Sequence, residues 1–219
     1  MFIELVDLLR CPRAHEDSWL VAAIYERADR DIVRGVLGCP ICGAAYQIRD
    51  RVAIFDEASS LPAPRESWGA YDESDDDAAM RCAAMLNLFD PGGAVILAGA
   101  WARAAHALHD ITPVSVLVVD PSGDVALGNG VSAIRIGDSL PVAAGSLRGV
   151  AFDADTATPS LVDSAARALR PGGRLIAPNS APLPAGIAER ARDDRHWVGE
   201  AQPSASTPIA LTRQRSPRR

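Results

Sequence analysis

A chain of 219 residues, 48% hydrophobic and 23% charged, holds enough apolar material for one medium domain or for a small domain joined to a larger one. A net charge of −6 argues against broad electrostatic capture of nucleic acid, and because all 22 basic residues are Arg, a lysine nucleophile, a Schiff base and a P-loop lysine are excluded. No apolar run approaches the roughly 20 residues that cross a bilayer, and the opening MFIELVDLLRCPRAHED lacks the basic start and apolar stretch of a secretory signal.

With four Cys and no such signal, a disulfide framework is not expected, and the expected compartment is the cytoplasm. Residues 1–57 form the first expected domain. SWLVAAIYER and RDIVRGVLG read as two strands joined near ADRD, and AYQIRDRVAIF as a further pair. The stretch 58–77, rich in Pro, Ser and acids, reads as a linker, and DDDAAMRCAAMLNLF as a helix whose leading Asp residues suit its N-terminal dipole. Cys82 on that helix reads as a packed core thiol.

From residue 94 apolar runs alternate with helical pattern. AVILAG reads as a strand and WARAAHALHD as a helix; VSVLVVD, SAIRIGD and LRGVAFDAD read as three more strands. PSLVDSAARALR is a helix, GRLIAP a fifth strand, and HWVGEA with TPIALTRQ a closing antiparallel pair. Buried runs separated by helices imply a mostly parallel sheet covered on both faces. The acidic DESDDD and the basic RQRSPRR at the end read as solvated charge blocks, with a docking tail as the alternative for the latter.

Two clusters carry metal chemistry. CPIC gives Cys39 and Cys42 at knuckle spacing with Gly43 to ease the turn; CPRAH gives Cys11, Ala14 where a second thiolate would stand, and His15 one residue further on. Cys11, His15, Cys39 and Cys42 are therefore the candidate zinc ligands, the alternative being a vestigial site of packed thiols. His106 and His109 share a helical face without an evident third ligand, and His196 has no evident partner. Asp153 and Asp155 read as strand-end acids. No set of residues reads as a catalytic constellation.

The pattern LVDLLRCP…VLGCPICGAAYQIRDRVAIF resembles the small zinc-binding activator of tRNA and translation-factor methyltransferases over residues 3–56, which implies a β-rich, zinc-ribbon-like domain serving as a partner platform. LVDSAARALRPGGRLIAP is similar to the late helix–turn–strand of class I S-adenosylmethionine-dependent methyltransferases, a resemblance extending over 78–213 and leaving 214–219 as a tail. It implies a Rossmann-like α/β fold, a mostly parallel seven-stranded sheet with an antiparallel end strand, in which Pro171 stops the helix and Gly172–Gly173 turn the chain.

Carried onto this chain, the resemblance puts Asp120 where an acid holds ribose hydroxyls and Asp138 where a Gly-Asp pair meets adenine; the local alternatives are a turn-former before Pro121 for the first and a loop cap or exposed turn for the second. The glycine loop is altered: Ile96 stands in place of its acid, Ala98, Ala100 and Trp101–Ala102 cover the turn, and Gly99 alone remains as a cofactor-binding glycine. Loss of the acid forfeits a charged hydrogen bond worth about 1.5–3 kcal/mol. The sequence thus points to a catalytically degenerate methyltransferase-like protein that binds S-adenosylmethionine poorly and partners another protein, a methyltransferase or a component of a larger complex. The alternatives are an active methyltransferase with its activator module in cis and a sensor binding some other small molecule.

Overall fold

The computed structural model describes residues 1–56, 74–121 and 125–203. Most of the expected linker 58–77, the basic tail and TPIALTRQ lie outside the described residues. After a short 3₁₀ turn over Ile3–Leu8, the chain forms β1 (Val21–Ala28), β2 (Asp31–Gly38), β3 (Ala45–Arg49) and β4 (Val52–Ile54), consecutive antiparallel neighbours. Then come α1 (Asp75–Leu86), β5 (Ala94–Ala98), α2 (Ala105–Ile111), β6 (Ser115–Val119), β7 (Val131–Arg135) and β8 (Leu147–Ala151). The chain continues with α3 (Pro159–Ala168), β9 (Leu169–Pro178), β10 (Ile187–Arg192) and β11 (His196–Ala201).

All eleven strands join one sheet in the order β1-β2-β3-β4-β7-β6-β5-β8-β9-β11-β10. It is parallel from β4 to β9, and β11 is the antiparallel member of the later seven, set between β9 and β10. Parallel strands need both faces covered, and β5 supplies this by being apolar and buried at every position. In β5, Val95 and Leu97 enter one core with Cys82, Leu86 and Leu108 of α1 and α2; Ala94, Ile96 and Ala98 enter the other with Val162 and Ala165 of α3. β2, β3 and β4 share that second core through Leu37, Ile48 and Ala53.

Helix ends follow local chemistry. Ser74 accepts a hydrogen bond from the Asp77 amide and caps α1, which closes at Asn87 in the left-handed region (φ 56°); Thr158 caps α3 ahead of Pro159 by accepting from the Leu161 amide. Three details depart from the sequence reading. WARAAHALHD opens as a 3₁₀ turn, Gly99–Ala104, before α2 begins. The helix expected to run to Arg170 stops at Ala168, so Arg170–Gly173 lie within β9 and form an outward irregularity, where pairing with β8 jumps from Leu147↔Leu169 to Gly149↔Arg174. The closing pair is IAERAR with HWVGEA; β10 is an edge strand whose last four residues face solvent, so its charge pattern hid it as a strand.

Candidate functional site

The first candidate centre is built by two turns. Cys11 follows the Ile3–Leu8 turn, and Cys39 and Cys42 sit on the bend between β2 and β3, where Gly43 takes φ +68° and its amide donates to the Cys39 carbonyl at 3.0 Å. The β1–β2 hairpin brings the bends together. The donor atoms of Cys11, His15, Cys39 and Cys42 all lie within 4.8 Å of one another. Cys11 Sγ is 3.7 Å from Cys42 Sγ, and Cys39 Sγ is 3.4 Å from His15 Nε2. A tetrahedral zinc with Zn–S of about 2.3 Å separates two sulfurs by about 3.8 Å, so these are the edges of a zinc-sized tetrahedron.

The surroundings fit the same donor set. His15 Nδ1 donates to the Glu16 carbonyl at 2.6 Å, which raises the His15 pKa and leaves Nε2 as the nitrogen facing the thiols. Burial opposes ionisation of the Cys39 thiol, but the amides of Cys42 and Ile41 and the neighbouring thiols outweigh it and bring its pKa down to about 6. The Tyr46 hydroxyl lies 3.2 Å from Cys11 Sγ, and its own pKa is pushed up by burial and by that sulfur. The four sequence-selected ligands are thus assembled, and all four cysteines of the chain are free thiols.

The second candidate centre is the crevice where the chain order reverses. From β5 the sheet proceeds to β6 and β7 on one side and to β8 and β9 on the other, so the carboxyl ends of β5 and β8 flank the position where open α/β sheets take ligands. Here the two lips are bonded to each other. The Ala100 amide donates to Asp153 Oδ2 at 2.7 Å, and the Trp101 indole N–H donates to the Phe152 carbonyl at 3.2 Å. Asp153 is buried, and its other oxygen accepts from the Thr156 hydroxyl at 2.8 Å and from the Thr156 and Asp155 amides at 3.0 and 3.2 Å.

The carboxylate of Asp153 requires glycine at position 99. The Gly99 φ is +61°, and a Cβ at that position would lie 2.1–2.2 Å from the Asp153 carboxylate atoms. Trp101 is buried with Arg81 over its ring at 4.6 Å and the His196 ring edge-on at 5.5 Å. Ile96 is fully buried in β5.

Gly99 and Asp120 follow adjacent strands in register, Ala98 pairing with Val119, and Asp138 follows β7, so the three sequence-selected positions share one edge of the sheet. Asp120 takes φ +45°, and its Oδ1 accepts from the Ile136 amide at 3.2 Å, tying β6 to the end of β7; Asp138 is exposed. The histidine pair on α2 serves the backbone: His106 donates to the Ala126 carbonyl and His109 to the Val114 carbonyl, each at 2.8 Å. Cys82 is a core thiol, pushed by burial to a pKa of about 12. The sequence marked Asp153 only as a strand-end acid; its role is set by a contact across 53 positions, for which the DADT turn was the sole local signal.

No family model and no curated protein matches the chain. Among solved structures it is similar to a methyltransferase from Methanococcus maripaludis described as S-adenosyl-L-methionine-dependent, at 9% identity and TM-score 0.46, covering 60% of this chain and 87% of that one. It is also similar to the antibiotic-resistance methyltransferase Kmr, at 17% identity and TM-score 0.41, covering 60% and 94%. For a protein from Galdieria sulphuraria described as a sarcosine dimethylglycine methyltransferase the values are 18% identity, TM-score 0.39 and 47% coverage, and the chain spans 45% of that protein's length. Likenesses this distant carry no inference about activity. No helix among the described residues is long and apolar enough to cross a membrane.

Proposed function

We propose that the chain is a methyltransferase-like protein that takes up no S-adenosylmethionine and acts by binding another protein, with structural zinc in its N-terminal module. The observation that carries this reading is the closure between β5 and β8. Where a cofactor's methionine end would approach the main chain, the Asp153 carboxylate already accepts from the Ala100 amide and fills the space beside Gly99. Ile96, in the place of the ammonium-binding acid, is sealed in the core. A ligand entering there must displace a buried, fully hydrogen-bonded anion and a buried indole, whose bonds are together worth several kcal/mol. Exposed Trp19, Val21 and Tyr25 beside and along edge strand β1 supply apolar surface of the kind a protein partner covers.

One observation favours the second reading, an active enzyme whose module serves in cis: β4 pairs in parallel with β7, so residues 1–56 continue the same sheet that carries Asp120 and Asp138. Calorimetric titration of the zinc-loaded chain with S-adenosylmethionine and with S-adenosylhomocysteine separates the two. The closed crevice gives no saturable heat; micromolar binding of either compound reverses the conclusion in favour of the enzyme.

A further inference from the structure

A cavity of about 300 Å³ opens directly beside the Cys/His centre, with Cys11 and His15 in its wall, between residues 10–17 and the segment Ser139–Ala144. Its charged walls are Arg10, Arg13, Arg167 and Asp17, three guanidinium groups against one carboxylate, in a chain whose net charge is −6. Arg10 is internally compensated: it donates to the Asp7 and Leu9 carbonyls at 2.8 and 2.9 Å, faces Asp17 at 3.5 Å and lies 4.8 Å over the Trp19 ring. Arg167 uses one N–H on Ser164 Oγ at 3.1 Å. The Arg13 guanidinium has no hydrogen-bond or ion-pair partner among the described residues. Two cationic forks therefore reach one cavity largely unspent.

The cavity is also preformed. The Arg10 amide donates to the Pro141 carbonyl and the Ala143 amide to the Leu8 carbonyl, each at 2.8 Å, which fixes the knuckle side to the 139–144 side. The Leu140 amide donates to Ser164 Oγ at 2.9 Å, which fixes α3 to both. Arg13 sits between Cys11 and His15, so a metal on those two ligands would set the bend that presents it. A planar guanidinium fork matches phosphate oxygens two at a time, and about 300 Å³ is the small end of the range for ligand sites.

We propose that this cavity binds a small phosphate-bearing molecule, about the size of a diphosphate, held by Arg13 and Arg167 against the Arg10–Asp17 wall. The proposal is independent of whether the β5–β8 crevice takes a cofactor.

The experiment is calorimetric titration of the zinc-loaded full chain with inorganic pyrophosphate and, separately, with orthophosphate, at low and at physiological salt. Saturable 1:1 binding of pyrophosphate is expected, with each of Arg13→Ala and Arg167→Ala weakening it by about tenfold or more and Asp17→Asn tightening it. Both arginines are exposed, so their variants should fold, which their urea midpoints check. Arg190→Ala, on the distant edge strand β10, should leave binding unchanged. The site is refuted by the absence of saturable binding, by native affinity in either the Arg13 or the Arg167 variant, or by an equal loss in Arg190→Ala, which would mean non-specific attraction.

Discussion

The closure between β5 and β8 makes a quantitative demand on the pair Gly99 and Asp153. Replacing Gly99 by Ala puts a Cβ on a residue at φ +61°, which costs about 1–2 kcal/mol in the left-handed region. The same Cβ would stand 2.1 Å from the Asp153 carboxylate, so the carboxylate must withdraw and give up its bond from the Ala100 amide, a charged hydrogen bond worth about 1.5–3 kcal/mol. Gly99→Ala should therefore destabilise by about 3–5 kcal/mol, and urea unfolding resolves a difference of that size. Asp153→Ala alone should lose about 3 kcal/mol, because the Thr156 and Asp155 amides lie nearer water and recover part of their bonding. In the Asp153→Ala background the clash is gone, and adding Gly99→Ala should cost only the backbone part, about 1–2 kcal/mol. The double-mutant cycle then shows a coupling of about 2 kcal/mol. If the two losses simply add, to within about 0.5 kcal/mol, Asp153 does not occupy the space beside Gly99 and the closure argument collapses.

Two further outcomes follow from the buried titratable groups and the thiols. Burial lowers the His196 pKa below its ordinary 6.5, opposed by Asp193 and reinforced by Arg81 and Arg195. The fold thus favours the neutral ring: this contribution to stability is complete above pH 6.5 and is lost as pH falls through the lowered folded value. Urea midpoints of the native chain should decline as pH falls below 6.5, the buried Met1 amine, lowered from 8.0 to about 5, adding its own decline over the same range; His196→Gln should flatten the slope in part, and an unchanged slope in the variant assigns it to other groups. At the Cys/His centre, purified chain should carry one zinc and Cys39→Ser should lose it along with part of its stability, while Cys82→Ser, on α1 in the core, keeps it; native protein free of zinc after purification without chelators rejects the site.

Local chemistry made part of this molecule legible. The short, uniformly apolar AVILA followed by Gly reads as a strand buried on both faces, and the PIC bend with its following Gly as tight, so β5 and the cysteine knuckle were legible from local chemistry. What could not be read shares one property: it is fixed by contacts between distant segments. IAERAR has a charged, exposed pattern because it ends the sheet, and only pairing with β11 makes it a strand. Arg13 and Arg167 are 154 positions apart, and nothing near either announces a shared cavity. The Ala100–Asp153 bond spans 53 positions.

That last contact also changes what the altered glycine loop means. Read locally, the alanines and Trp101 are losses, each a methyl group or a ring where a cofactor would need room. In three dimensions they are half of a joint whose other half is Asp153, Phe152 and Thr156. In an open crevice the amides at the lip would hydrogen-bond to water. Here the lip amides are satisfied by a side chain from the facing strand end, and the one glycine retained is the one whose missing Cβ makes room for that side chain. Gly99 is therefore a packing requirement of the Ala100–Asp153 contact. On the proposed reading, a ligand for the crevice must exceed the worth of the Asp153 and Trp101 bonds before its own contacts count.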